Sequence, residues 1–143
     1  MTDKLTFWTK YFKVISVFMI VIGIFWAIAG VFDPLGIYEK YFAMHFWNTD
    51  VPPADAKTTF SFLMIPFGAT LAGYFVMQYL LVHHGFPQRL KWVWNTLVIG
   101  ILTWVCLDTA LCLIHKAYFN ILLANISTML LMSPLFFIKK YFN

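Results

Sequence analysis

The chain has 143 residues, of which 62% are hydrophobic and 11% charged, whereas about a quarter of the residues in a soluble domain carry a charge. Too little polar surface remains to clothe a water-soluble globule, and the apolar runs leave no length for a separate soluble catalytic domain. The formal charge of +4 is spread over segment ends rather than gathered in a block, which argues against nucleic acid as a partner and for the lipid bilayer.

Four apolar runs of about 20 residues, at 11–32, 59–82, 92–114 and 118–138, are long enough to cross a membrane. They are solidly apolar rather than alternating, which excludes barrel strands and predicts helices. The predicted fold is all-α: a single transmembrane domain over residues 1–143, folded as an antiparallel four-helix bundle. Lys4, Lys10, Lys13, Arg89, Lys91, Lys139 and Lys140 fall at one set of run ends, against Lys40, Lys57 and Lys116 at the other. This asymmetry puts both termini in the cytoplasm and the loop 33–58 outside.

In the first run, Ala27-Ile28-Ala29 before Gly30 fits a signal-peptide cleavage site. The segment is expected to be retained instead, with Gly23, Ala27 and Gly30 forming a smooth stripe for close helix packing. Gly68-x3-Ala72 and Ala69-x3-Gly73 supply a matching stripe on the second run. In the loop, Asp33-Pro34 reads as a helix start, and Leu35, Tyr38, Phe42 and His45 follow at helical spacing. A short helix lying in the membrane interface, capping the bundle's outer end, is predicted there. Pro52-Pro53 and Asp55 then open the second membrane helix, which is expected to protrude outward. His84-Gly85 marks its end, with His83 and His84 as helix-end cations, and Pro87 is placed to open the third helix.

The third run carries Asp108, an ionisable group at a depth where it costs roughly 2.5 to 3.5 kcal/mol on insertion scales. It lies about 9 Å below the outer boundary at 1.5 Å per residue, level with Asn125 on the fourth run, so an Asp108–Asn125 contact is expected, either as a lock on helix register or as part of a ligand or proton site. Trp104, Cys112 and His115 share its helix face at i−4, i+4 and i+7, suggesting an outward-opening polar cleft to which Asn120 and Ser127 add lining. Pro66 frees a carbonyl near Phe62 that Asp108 could also engage. Asn125-Ile126-Ser127 matches a glycosylation sequon, but one inside a span is out of the transferase's reach.

Catalytic and cofactor patterns fail. Cys106 and Cys112 lie about 240° apart on one helix and cannot bridge, and there is no CxxC. A haem between His45 and His115, or a metal among His45, Asp50, Asp55 and His115, lacks diagnostic spacing, so neither cofactor nor metal is predicted.

The stretches Pro66-Phe67-Gly68-Ala69-Thr70, Trp104 to Asp108-Thr109-Ala110, and His115-Lys116-Ala117-Tyr118-Phe119-Asn120 resemble segments of small bacterial four-span proteins of the DoxX-like or BphX-like kind. The resemblance implies a bacterial inner (plasma) membrane location and a compact bundle. The favoured functional reading is a non-enzymatic accessory component that binds another membrane protein or a second copy of itself. The alternative is binding or conversion of a small lipophilic molecule in the cleft around Asp108.

Overall fold

The structure is a computed structural model that describes residues 2–29 and 36–142. Among these every regular element is helical: α1 (Thr2–Ala29), α2 (Ile37–Trp47), α3 (Ala54–Gly85), α4 (Lys91–Ile114) and a fourth long segment, Tyr118–Tyr141. All of these except α2 contain windows long and apolar enough to cross a membrane, the mark of a multi-pass membrane protein. Helix α1 starts at Thr2 rather than at residue 11, because nothing between Thr2 and Lys10 stops a helix: the stretch has no Gly or Pro. The chain divides into two compact units, Met1–Val17 with Val76–Asn143, and Phe18–Phe75.

Within Phe18–Phe75, α1 and α3 meet through glycine. A Cβ on Gly68 would lie 2.5 Å from both the Ala27 nitrogen and the Gly23 carbonyl oxygen, and a Cβ on Gly23 would lie 2.7 Å from the Ala72 nitrogen. The two backbones therefore touch directly, a proximity that only missing side chains permit. Trp26 and Phe67 stack beside the crossing at 5.2 Å. Ala69 and Gly73 trail Gly68 and Ala72 by one residue, about 100° around the helix, so the second small stripe faces elsewhere: Ala69 is exposed, and a Cβ at Gly73 would meet nothing within 4 Å. Gly30, Asp33, Pro34 and Leu35 lie outside the described residues. Helix α2 follows Gly36, which takes the left-handed conformation at φ 64°. It docks on the start of α3 through Phe42 and Tyr38, whose rings lie 4.4 and 6.4 Å from that of buried Phe60. Lys57 pairs with Glu39 at 2.7 Å.

The other unit holds one apolar core. Leu5 and Phe12 of α1, Val82 of α3, Val93, Leu97 and Ile101 of α4, and Met132, Leu135 and Ile138 of the fourth segment pack together. Phe86 joins them, edge-on to Phe12 and Phe142. Helix α3 ends at Gly85, where Val93 occupies the space a side chain would need. Pro87 sits in the turn and does not begin α4, which starts at Lys91. Two hydrogen bonds hold that turn closed, Arg89 N–H to the Phe86 carbonyl at 3.0 Å and Leu90 N–H to the Gly85 carbonyl at 3.1 Å. His83 stacks on Tyr79 at 5.9 Å.

The fourth segment is not the uniform helix expected. It is α-helical over Tyr118–Asn120, π-helical over Ile121–Ile126, α-helical again over Ser127–Met132 and Pro134–Phe137, and ends in a 3₁₀ turn, Lys139–Tyr141. Pro134 has no N–H, so the Leu130 carbonyl loses its helical donor. Side chains make up the loss around this break. Ser133 donates to the Leu130 carbonyl at 2.9 Å, Tyr11 to that of Leu131 at 2.9 Å, and Trp94 Nε1–H to that of Leu135 at 2.8 Å. Exposed hydroxyls elsewhere are satisfied within their own helix, as when Thr96 donates to the Trp92 carbonyl at 2.9 Å.

Candidate functional site

The turn between α4 and the fourth segment sets the site. Lys116 adopts a left-handed φ of 57°, and Ala117 N–H bonds the Cys112 carbonyl at 2.8 Å, so the chain doubles back within three residues. Asn120 thereby comes level with Asp108 and Cys112. Its Nδ2–H₂ donates to Asp108 Oδ2 at 3.0 Å and approaches Cys112 Sγ at 3.1 Å, while the Cys112 thiol donates to the same carboxyl oxygen at 3.5 Å.

The expected Asp108–Asn125 contact is thus replaced by Asp108–Asn120, and Asn125 donates instead to Thr109 Oγ1 at 2.8 Å. The π-helical stretch explains the change. In an α-helix, residues five apart lie about 140° apart, so Asn120 and Asn125 could not both face α4. The i→i+5 bonding of a π turn brings residue i+5 back over residue i, and both amides reach adjacent positions on α4. Such single turns are frequent at functional sites.

Asn125 is 2% exposed, and its Oδ1 has no hydrogen-bond partner. Whichever way the amide is turned, Thr109 engages one end and the other is left over. Leaving such a group unpaired in hydrocarbon costs about 1–3 kcal/mol. Asn125 and Thr109 line an open groove of about 270 Å³ whose other walls are Val105, Ile121, Ile126, Met129 and Leu130.

Of the remaining residues singled out from sequence, Trp104 is 37% exposed on the α4 surface, His115 caps the C-terminus of α4 through its backbone N–H, and Ser127 returns its hydroxyl to the Leu123 carbonyl. Pro66 belongs to the Phe18–Phe75 unit, and α3 runs through it without a break. Cys106 is exposed and Cys112 buried. Among the described residues, no three His, Cys, Asp or Glu gather as metal ligands would. No family model, curated protein or solved structure matches this chain.

Sequence reasoning passed over Gln78. It is 1% exposed on α3, donates to Ser16 Oγ at 3.1 Å and has an unpartnered Oε1, while Ser16 returns its own hydroxyl to the Phe12 carbonyl at 2.7 Å. Like Asp108, Gln78 is a polar group inside an apolar run, but it carries no formal charge to mark it.

The cluster makes a stability prediction. Asp108→Asn keeps an oxygen acceptor for Asn120, and Asp108→Leu removes it while leaving Cys112 Sγ within reach. Intramembrane hydrogen bonds average about 0.6 kcal/mol. Both variants should therefore unfold within about 1 kcal/mol of wild type in an SDS titration, with Asp108→Leu the less stable. A loss several times larger on Asp108→Leu, absent in Asp108→Asn, would make the cluster a register lock on which assembly depends.

Proposed function

We propose that this chain is a multi-pass membrane protein that binds a small lipophilic molecule in the groove between α4 and the fourth segment, with Asn125 as its polar contact. The observation that carries this reading is a buried amide with one unused end in a groove otherwise walled by aliphatic side chains and Met129. A hydroxyl on an apolar body can both donate and accept, so it suits that amide in either orientation. Binding is favoured over conversion because none of the groove residues titrates or could serve as a general base. The Asp108–Cys112–Asn120 cluster, one residue away along α4, would hold the helix pair in register around the ligand.

The test is mass spectrometry of organic molecules that co-purify with the protein. Wild type should carry one lipophilic species in near-stoichiometric amount, and Asn125→Leu should lose it. Gln78→Leu, which removes the other unpartnered amide away from the groove, should keep it. Identical extracts from wild type and Asn125→Leu would sink the proposal.

In the bilayer, the reading is an antiparallel bundle with both termini cytoplasmic and α2 lying in the outer interface of a bacterial inner membrane. Support comes from the lysine and arginine asymmetry and from the aromatic content of α2. A cysteine placed at Asp55 should be labelled by an impermeant maleimide in intact cells, and labelling only after lysis would reverse the orientation. The accessory reading, with another membrane protein or a second copy as partner, draws on the open, small surface at Ala69 and Gly73. The likeness to DoxX-like proteins rests on the sequence segments alone and would agree with either reading.

A further inference from the structure

A second concavity lies in the unit Met1–Val17 with Val76–Asn143, away from the Asn125 groove. It measures about 360 Å³ and gathers Lys10 and Lys13 from α1 with Arg89 from the α3–α4 turn; Leu5, Thr6, Thr9 and Pro87 complete its lining. Among the described residues, no acidic one lines it. The ion pairs Lys40–Asp50 and Lys57–Glu39 belong to the other unit. Three like charges facing one concavity repel one another until an anion is supplied.

The backbone under Arg89 is fixed. Its φ of 53° is a conformation that few non-glycine residues adopt, and the hydrogen bonds closing the turn hold it there. Lys13 is restrained as well, with its ammonium 5.4 Å from the centre of the Tyr79 ring. A guanidinium beside two ammonium groups suits a phosphate, which offers several oxygens and at least one full charge.

We propose that this groove binds the phosphate of an anionic phospholipid from the adjoining leaflet. The lipid source is favoured over a soluble phosphate because an apolar track leads away from the cations. Val14 and Val17 lie one turn beyond Lys10 and Lys13 on the same face of α1, and are 66% and 49% exposed. With the phosphate among the three cations, the acyl chains lie along these valines. A soluble phosphate would make no use of them.

The experiment uses the full chain in detergent, titrated with dioleoyl phosphatidylglycerol or dioleoyl phosphatidylcholine, with bound lipid counted by native mass spectrometry. One phosphatidylglycerol per chain should bind in preference to phosphatidylcholine. Arg89→Gln should weaken it roughly fivefold, the effect of one basic residue near an anionic surface. Arg89→Lys should retain most of the binding, and Lys10→Gln with Lys13→Gln should weaken it further. Lys139→Gln with Lys140→Gln, which removes two cations outside the groove, should leave it unchanged. If that control weakens binding as much per charge as Arg89→Gln does, diffuse surface charge explains the preference and the site is refuted. Glycerol 1-phosphate separates the two sources: displacement of the lipid at equal concentration would overturn the lipid assignment in favour of a soluble phosphate.

Discussion

Replacing Gly68 with leucine should cost about 3 kcal/mol or more of stability, the upper end of the range for overpacking. The new Cβ alone would fall 2.5 Å from the Ala27 nitrogen and the Gly23 carbonyl oxygen. These are backbone atoms, so no rotamer change can clear them and the helices must separate. In lipid there is no hydrophobic drive to hold helices together, and close van der Waals packing supplies much of the association. Separation at this point therefore removes the interaction and not merely its tightness. Gly73→Leu is the matched control, because nothing lies within 4 Å of its Cβ position, and its effect should stay within about 0.5 kcal/mol. Reversible unfolding by SDS titration of both variants checks the pair. Equal losses would mean that the α1–α3 approach does not govern the result, since helix propensity favours leucine over glycine at both positions.

Trp94→Ala should be comparably severe, at about 3–5 kcal/mol for truncating a large core side chain. Trp94 is 9% exposed in the core of its unit and packs with Leu97, Leu135 and Ile138. It also donates Nε1–H to the Leu135 carbonyl just past the break at Ser133. Trp94→Phe keeps an aromatic ring and removes the donor, at an expected cost of about 1 kcal/mol for the hydrogen bond plus a smaller packing loss than in Trp94→Ala. Should Trp94→Phe match Trp94→Ala, the hydrogen bond at the broken helix would outweigh packing. SDS titration or thermal unfolding in detergent followed by circular dichroism distinguishes these outcomes.

Several features of the fold are legible in the sequence. Solid apolar runs announced the long helices, because hydrocarbon leaves a backbone no other way to satisfy its polar groups within one segment. The glycines at Gly23 and Gly68 were visible as candidates for close packing, though spacing alone could not say which of two adjacent stripes would turn inward. Neighbouring positions on a helix differ by about 100°, and only a partner helix selects between them.

The polar site was legible in its residue types and not in its pairing. Asp108, Cys112, Asn120 and Asn125 all stood out as polar groups in apolar surroundings, and Asp108 and Cys112 shared a face by simple spacing. Matching depth along two ideal helices then joined Asp108 to Asn125. That arithmetic assumes a uniform rise and rotation per residue, and the π-helical turn at Ile121–Ile126 breaks both assumptions. The turn coincides with two amides, Asn120 and Asn125, finding partners on α4.

The helical class, the number of long apolar helices and the side chains costly to bury all follow from composition and period alone. Tertiary structure decided which amide meets the carboxyl, which amide is left with an unused end, and that Lys10, Lys13 and Arg89 share one concavity. Residues distant in the chain acquire a relation only when a turn and a helix contact fix their separation, and no local pattern contains that distance.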